Sequence, residues 1–356
     1  MEAFDGVERI AVLRGGGLGD LMFAYPGLIA LRATYPQATI TLLGTELQRQ
    51  LVEGRPGPID AVWVLDGEPG LRDTPEQAEF FARARAQNFD LAVQLHGGGK
   101  NSNPFLLALG AAHTVGSATD DAPPLERTLP YVYYQHEMIR SLEVAALAGA
   151  SPQVLEPELT VLESEARAGR DIVGEAPGPL LIVHPGATDP RRRWPNGHWI
   201  DVAVSAVSAG WQVIVVGGPE DREDGASIAA GARDRLTAAQ GEQVRTLAGE
   251  LTLPQLLGVF TRAEVVAGND SGPRHLAAAV GAKTVGVYWV GNALNASPLS
   301  RARHRVLMSW VTRCPVCGID ITQVGWTAER CAHDPSIVAE VSPVTVWSAV
   351  LELAEG

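Results

Sequence analysis

Short runs of Val, Ile, Leu and Ala recur along the chain, each bounded by glycine or a polar turn, and longer segments between them repeat apolar residues every three to four positions. A short apolar run has the length of a strand buried on both faces, and the longer segments carry the 3.6-residue period of a helix. Their alternation is the signature of parallel strands joined by crossover helices. In the first half the pattern predicts strands at 9–14, 38–44, 61–66, 89–95 and 114–116, with helices at 20–34, 75–87, 102–110 and 134–149. In the second half it predicts strands at 180–184, 212–217, 264–267 and 284–288, with helices at 196–209, 220–237, 254–262 and 273–281. Between the halves, SPQVLEPEL and GEAPGPL break the periodicity with Pro and Gly across 150–179, which reads as a linker.

The expected fold class is therefore α/β. Two Rossmann-like doubly wound domains, an N-terminal one at 1–165 and a C-terminal one at 166–340, would face one another across a cleft, and a C-terminal helix at 341–356 would pack back on the N-terminal domain. A length of 356 residues accommodates two such cores. Ligands of open α/β sheets sit outside the carboxyl ends of the strands, so the loops leaving those ends carry the candidate chemistry.

Four loops qualify. GNDSGPRHLAAAVG, 268–281, leaves an apolar strand and enters a helix; Asp270 or Ser271 can cap it, Pro273 suits its first turn, and the backbone N–H groups near Ser271, Gly272 and Arg274 would face an anion. His275 could donate a further hydrogen bond to a phosphate oxygen, although an isolated D-S-G reads as well as a plain helix cap. HPGATDPRRRWPNGHW, 184–199, brings Arg191, Arg192 and Arg193 to a strand end, where a cation could stabilise a leaving diphosphate; away from such a position the run would be a solvated loop. VVGGPEDRED, 215–224, places Gly217 and the acids Glu220, Asp221 and Glu223 where ribose hydroxyls are bound in dinucleotide folds, or where acids simply favour a helix start.

The fourth, RGGGLGD at 14–20, departs from G-x-G-x-x-G because Asp20 stands at the third glycine's place and would repel a pyrophosphate on the following helix. A nucleotide is therefore expected on the second domain. Asp20 is left to accept a proton from an attacking hydroxyl, or to cap its own helix. In QLHGGGKNSN, His96, Lys100 and Asn101 follow a first-domain strand and are candidates for the acceptor pocket.

Together RIAVLRGGGLGD, FDLAVQLHGG, HPGATDPRRRWP and GNDSGPRHLAA resemble glycosyltransferase family 9, the ADP-heptose:lipopolysaccharide heptosyltransferases and their relatives, through nearly the whole chain. The resemblance implies a GT-B fold and inverting transfer of a sugar, with ADP-heptose the leading donor, from a nucleoside diphosphate to an acceptor hydroxyl, no cofactor or metal being required. It also implies roles: Asp20 as general base, Arg192 on the donor diphosphate with Asp270, Ser271, Gly272 and His275, and Asp221 with Gly217 on the nucleoside. Many members carry Lys where Arg192 stands, which exchanges a point charge for a planar fork.

Charge bears on partners. The net charge is −13, and roughly two-thirds of the acidic excess lies in the first 160 residues. A nucleic-acid partner is disfavoured, since affinity for a polyanion comes from Lys and Arg. An acidic first domain also fits poorly with a phosphorylated lipopolysaccharide core, which points to a neutral glycan or small natural product as acceptor. The opening MEAFDGVE lacks an apolar signal core and no apolar run approaches a membrane span, so a cytoplasmic enzyme with at most peripheral membrane contact is expected. The oligomeric state is left open. Cys314, Cys317, Cys331 and His333 could close a tetrahedral structural zinc site, but C-x-H is an unusual zinc spacing, so reduced thiols or one local disulfide are the fuller expectation. The alternatives to a transferase are an NAD-dependent oxidoreductase using RGGGLGD and a non-catalytic nucleotide-sugar-binding module.

Overall fold

The computed structural model describes residues 1–175, 178–322 and 331–355. The chain divides into two compact units, 1–160 and 161–356. The first comprises β1 (Arg9–Leu13), α1 (Leu18–Thr34), β2 (Thr39–Gly44), α2 (Glu46–Val52), β3 (Ala61–Val64), α3 (Pro75–Ala86), β4 (Leu91–Gln94), α4 (Ser102–Leu107), β5 (His113–Ala118), β6 (Arg127–Pro130) and α5 (Glu137–Leu147). Its six parallel strands run in the order β3-β2-β1-β4-β5-β6. The central β1 pairs with β2 on one side and β4 on the other, Ile10 lying opposite both Ile40 and Leu91. Ile10 to Leu13 are buried on both faces of the sheet, which is why β1 reads as an unbroken apolar run.

The second unit comprises α6 (Glu163–Val173), β7 (Leu180–His184), α7 (Asn196–Ser208), β8 (Gln212–Val215), α8 (Arg222–Arg233), α9 (Ala238–Gly241), β9 (Val244–Thr246), α10 (Leu253–Phe260), β10 (Val265–Asn269), α11 (Gly272–Ala279), β11 (Thr284–Trp289), α12 (Val290–Ala296), β12 (His304–Ser309) and α13 (Pro343–Glu355). Its strand order, β12-β11-β10-β7-β8-β9, repeats that of the first sheet, again all parallel. Both sheets are the doubly wound Rossmann arrangement, whose strand order reverses between the first and fourth strands. The switch points lie between β1 and β4 and between β7 and β10.

Three expectations need correction. The last helix is part of the second unit: Val346, Ala349, Val350 and Leu353 enter the core formed with Trp194, Trp199 and Val285, and α13 packs on α7 and β10 to β12. The expected linker holds a helix, α6, packed on α10 with Gly169 and Val173 buried. The Glu165 carboxylate accepts the Leu162 N–H at 2.8 Å and so caps the helix start. The Ala176 and Pro177 part of that linker lies outside the described residues. Third, β6, β9 and β12 were not expected; β6 and β9 are edge strands of four and three residues, too short to leave an apolar run. Among the described residues no helix is long and apolar enough to cross a membrane.

Candidate functional site

In the second unit the β7/β10 switch point gathers a buried, hydrogen-bonded cluster. β10 ends in Asn269, fully buried, whose side-chain oxygen accepts the Trp194 N–H at 3.2 Å while its amide donates to the Pro185 carbonyl at 2.5 Å. One side chain thus ties the loop after β7 to the loop after β10. Of the three arginines, Arg191 is engaged by Asp189 at 2.6 Å, and Arg193 donates to the Ala187 carbonyl and to Asp224. Arg192 reaches across to Asp270, its Nη1 donating to Oδ2 at 2.9 Å. The other carboxylate oxygen of Asp270 lies 3.1 Å from His275 Nε2.

Burial pushes the Asp270 carboxyl up, but the His275 hydrogen bond and the charges of Arg192 and Arg274 outweigh it and hold the group below its ordinary range. Arg274 Nη2 lies 2.7 Å from His275 Nδ1. An arginine can only donate, so Nδ1 is the acceptor and Nε2 carries the proton given to Asp270. The same Nη2 is 3.2 Å from Nε2, and the shorter contact is taken as the hydrogen bond. Arg274 is fully buried, over the Tyr288 ring at 5.0 Å, and its Nε and Nη1 have no hydrogen-bond partner among the described residues. With Arg192 and Arg274 against the single carboxylate of Asp270, the cluster carries an excess positive charge at the start of α11, where the helix dipole adds to it.

Ser271 occupies the position before α11, yet its hydroxyl does not cap the helix; it lies 3.1 Å from His184 Nδ1. His184, at the end of β7, is buried, which pushes its imidazole down to about 4. Its Nε2 is 3.7 Å from Asp221 Oδ2. Asp221 is turned inward and buried, its carboxylate accepting the Gly218 N–H at 3.0 Å. Burial raises its pKa, opposed by that N–H and the Arg193 charge. Gly186 and Gly217 line this carboxylate so closely that a Cβ at either would collide with it. Asp221 therefore holds the turn on Gly217 in shape.

In the first unit the β1/β4 switch point carries Asp20. One carboxylate oxygen accepts the Gly17 N–H at 2.9 Å and the other accepts from Arg14 Nη2 at 2.8 Å. Arg14 is buried and further fixed by the Asp20 carbonyl at 2.9 Å and the Leu95 carbonyl at 2.5 Å. Gly16 sits at φ +84°, and a Cβ there would press on the Asp20 carboxylate. Asp20 thus caps its helix while 47% of its side chain remains exposed. His96 packs on Gly15, 3.2 Å from where a Cβ would be, and its Nε2 is 3.2 Å from Glu68 Oε2. Burial, then Arg14, lowers the His96 pKa, with Glu68 and Asp20 opposing. A cavity of about 250 Å³ opens beside Glu68, lined also by Asp66, Arg72, Phe80, Arg83 and Phe105. Lys100 is exposed and paired with Asp121 at 2.9 Å, and exposed Asn101 precedes α4 without capping it.

At the tail, Cys314, Cys317 and Cys331 are free thiols, one of the two states expected of them. Their sulfurs and a His333 nitrogen all lie within 4.8 Å of one another.

Residues 78–314 match the profile of glycosyltransferase family 9 (heptosyltransferase), two-thirds of the chain. The chain belongs to that family. As a family 9 member it is a glycosyltransferase of the GT-B fold class. It is 27% identical over 305 residues to the lipopolysaccharide heptosyltransferase 2 of Salmonella typhimurium, covering 82% of this chain and 86% of that protein. Among solved structures it resembles ADP-heptose lps heptosyltransferase II of E. coli (TM-score 0.75, 22% identity, 98% of each chain) and a family 9 glycosyl transferase from Veillonella parvula (TM-score 0.79, 21% identity, 99% of each). The oxidoreductase and the non-catalytic module are thereby replaced by a transferase.

Of the residues chosen from sequence, the fold brings Arg192, Asp270, Ser271 and His275 together, and separately Asp20 with His96. The side chains of Arg274, Asn269 and His184 also join the second cluster and were not chosen from sequence. A buried polar residue closing an apolar strand, as in VVAGN and LLIVH, was the available signal for two of them.

Proposed function

We propose that the second unit binds a nucleoside-diphosphate sugar at the start of α11 and that the first unit activates an acceptor hydroxyl through Asp20. The observation that carries this reading is the excess of positive charge that the partly buried Arg192 and the fully buried Arg274 form around Asp270. A buried guanidinium left with two unused donors costs several kcal/mol unless an anion offsets it, and a diphosphate is the anion that a sugar nucleotide brings. Arg192 and the backbone N–H groups of Ser271 and Gly272 contact the diphosphate; Asp270 and His275 aim Arg192. The turn at Gly217, held by Asp221, receives the nucleoside. The name of the similar E. coli structure supplies the donor, ADP-heptose.

The chemistry is an inverting displacement. The acceptor oxygen forms a bond to the anomeric carbon as that carbon's bond to the phosphate oxygen breaks. The acceptor proton passes to Asp20, and the electron pair leaves with the diphosphate, whose charge Arg192 stabilises. No resident metal is needed for this step. His96, Lys100 and Asn101 are the acceptor-side residues of this reading, with His96 and the cavity beside Glu68 the better placed. Asp66, Glu68, Glu76 and Glu79 against Arg72 and Arg83 make that cavity acidic, which supports a neutral glycan or small natural product over a phosphorylated lipopolysaccharide core. A cytoplasmic enzyme with peripheral membrane contact at most remains part of the reading.

The test is calorimetric titration with ADP and UDP, followed by detection of ADP released from ADP-heptose in the presence of candidate acceptors. Binding of ADP and acceptor-dependent release support the proposal. Absence of ADP binding to the folded protein overturns it.

A further inference from the structure

Cys314 to Gly318 form a tight turn closed by hydrogen bonds from the Gly318 N–H to the Cys314 carbonyl and from the Cys314 N–H to the Ile319 carbonyl, each 2.9 Å. Gly318 takes φ +74°, a conformation in which a side chain would be strained. An antiparallel bridge between Arg313 and Asp320 closes the hairpin. Inside the turn the backbone N–H groups of Cys317 and Val316 face the Cys314 sulfur, and that of Ile319 faces the Cys317 sulfur. Cys331 and His333 come from a separate segment and complete the set within 4.8 Å. Four ligands about 2.3 Å from a tetrahedral ion would be roughly 3.8 Å apart, so closure onto an ion requires movements of about 1 Å or less. Three sulfurs and one imidazole are the donor set of structural zinc.

The segment carrying Cys331 and His333 runs to Ser342 without helix or strand. Its contacts are directed at the arginine loop. The Ile337 N–H donates to the Arg191 carbonyl at 2.8 Å, and Ser336 Oγ donates to the Arg193 carbonyl at 2.7 Å. The Val341 carbonyl accepts from Trp194 Nε1 at 2.9 Å. Both neighbours of Arg192 are therefore anchored on residues 336 and 337, three and four positions beyond His333. On its other side the segment is tied to β12, the Glu340 carboxylate accepting the Ser309 hydroxyl at 2.9 Å and the Trp310 N–H at 2.6 Å.

We propose that Cys314, Cys317, Cys331 and His333 hold a resident zinc ion, and that this ion fixes the segment that positions Arg192. On binding, each thiol releases its proton to solvent, and the ion joins the 314–318 turn to the 331–342 segment. The ligands act as positioning residues, outside the reacting atoms. The second half rests on the proposed role of Arg192 in diphosphate binding.

The test uses the full-length enzyme, with metal content measured by elemental analysis and ADP affinity by calorimetry. The wild type should carry about one zinc per chain. Cys317→Ser and His333→Ala change exposed ligands, which keeps the buried Cys314 intact; both should lose the zinc, retain the circular dichroism of the folded protein, and bind ADP on the order of tenfold more weakly, since small misplacements of a positioning group carry costs of this size or larger. Donor KM should rise more than kcat falls. Should these variants not fold, chelator treatment of folded wild type should remove the zinc with the same loss of ADP affinity, and cobalt added back should give tetrahedral thiolate spectra. Three titratable thiols with no metal would overturn the site, and stoichiometric iron would overturn the zinc assignment. Metal loss with unchanged ADP affinity would overturn the positioning role. Arg192→Gln with full zinc and wild-type ADP affinity would instead overturn the function proposed for Arg192 and leave the metal site standing.

Discussion

Protonation of His184 should destabilise the second unit in mild acid. The imidazole ends β7 and is buried, touching Ser271 on one side and approaching Asp221 on the other. Burial lowers its pKa to about 4, the Arg193 charge adding to the effect and Glu220 opposing it. In the unfolded chain the same group titrates near 6.5. Between these values the unfolded state binds a proton that the folded state refuses, so stability is full above about pH 6.5 and is lost as pH falls toward 4. At about 1.4 kcal/mol per pH unit, the whole window is worth about 3 kcal/mol, of which about 2 kcal/mol is gone by pH 5. His304, also lowered to about 4 by burial and then Arg274, acts in the same window and sets the slope that remains when His184 is removed. Urea unfolding followed by tryptophan fluorescence from pH 7.5 to 5 reads the effect, because every tryptophan except Trp63 lies in the second unit. His184→Gln, whose amide can still bond Ser271, should flatten the pH dependence by about half. Identical slopes for wild type and variant would refute the reasoning.

Arg192→Gln should weaken ADP binding by about 10- to 100-fold, the range set by losing a charge-assisted hydrogen bond of about 1.5–3 kcal/mol, while calorimetric stability changes little. Gly186→Ala should lower the second unit's stability in urea, because the new methyl would collide with the buried Asp221 carboxylate. Asn269→Ala should cost about 2–3 kcal/mol by the same assay, since it strands the Trp194 N–H and the Pro185 carbonyl in the core.

The strands buried on both faces were legible because little that is polar interrupts them: β1, β7, β10 and β11 contain the apolar runs IAVL, LLIV, VVA and VGVY. The short edge strands β6 and β9 and the polar helix α6 were not, since their burial comes from neighbours distant in sequence. The loops of the candidate site were legible for the same reason as the central strands, because each begins where an apolar run stops. Their inner wiring was not. Nothing in PRRR says that Asp189 occupies Arg191 and that Arg193 turns to Asp224, leaving Arg192 to reach Asp270. Nor does PEDRED reveal that Asp221 points inward between two glycines. Lys100 was attractive as a cation near a strand end, yet an exposed partner, Asp121, holds it.

The division of labour between the two units is tested most directly by Asp20→Asn, an exchange that preserves the cap on Gly17 and removes the proton acceptor. With ADP-heptose and a working acceptor, turnover should fall by about 10²- to 10⁴-fold while ADP affinity stays within about twofold of wild type. Wild-type turnover in that variant, or loss of ADP binding there while Arg192→Gln retains it, would contradict the account.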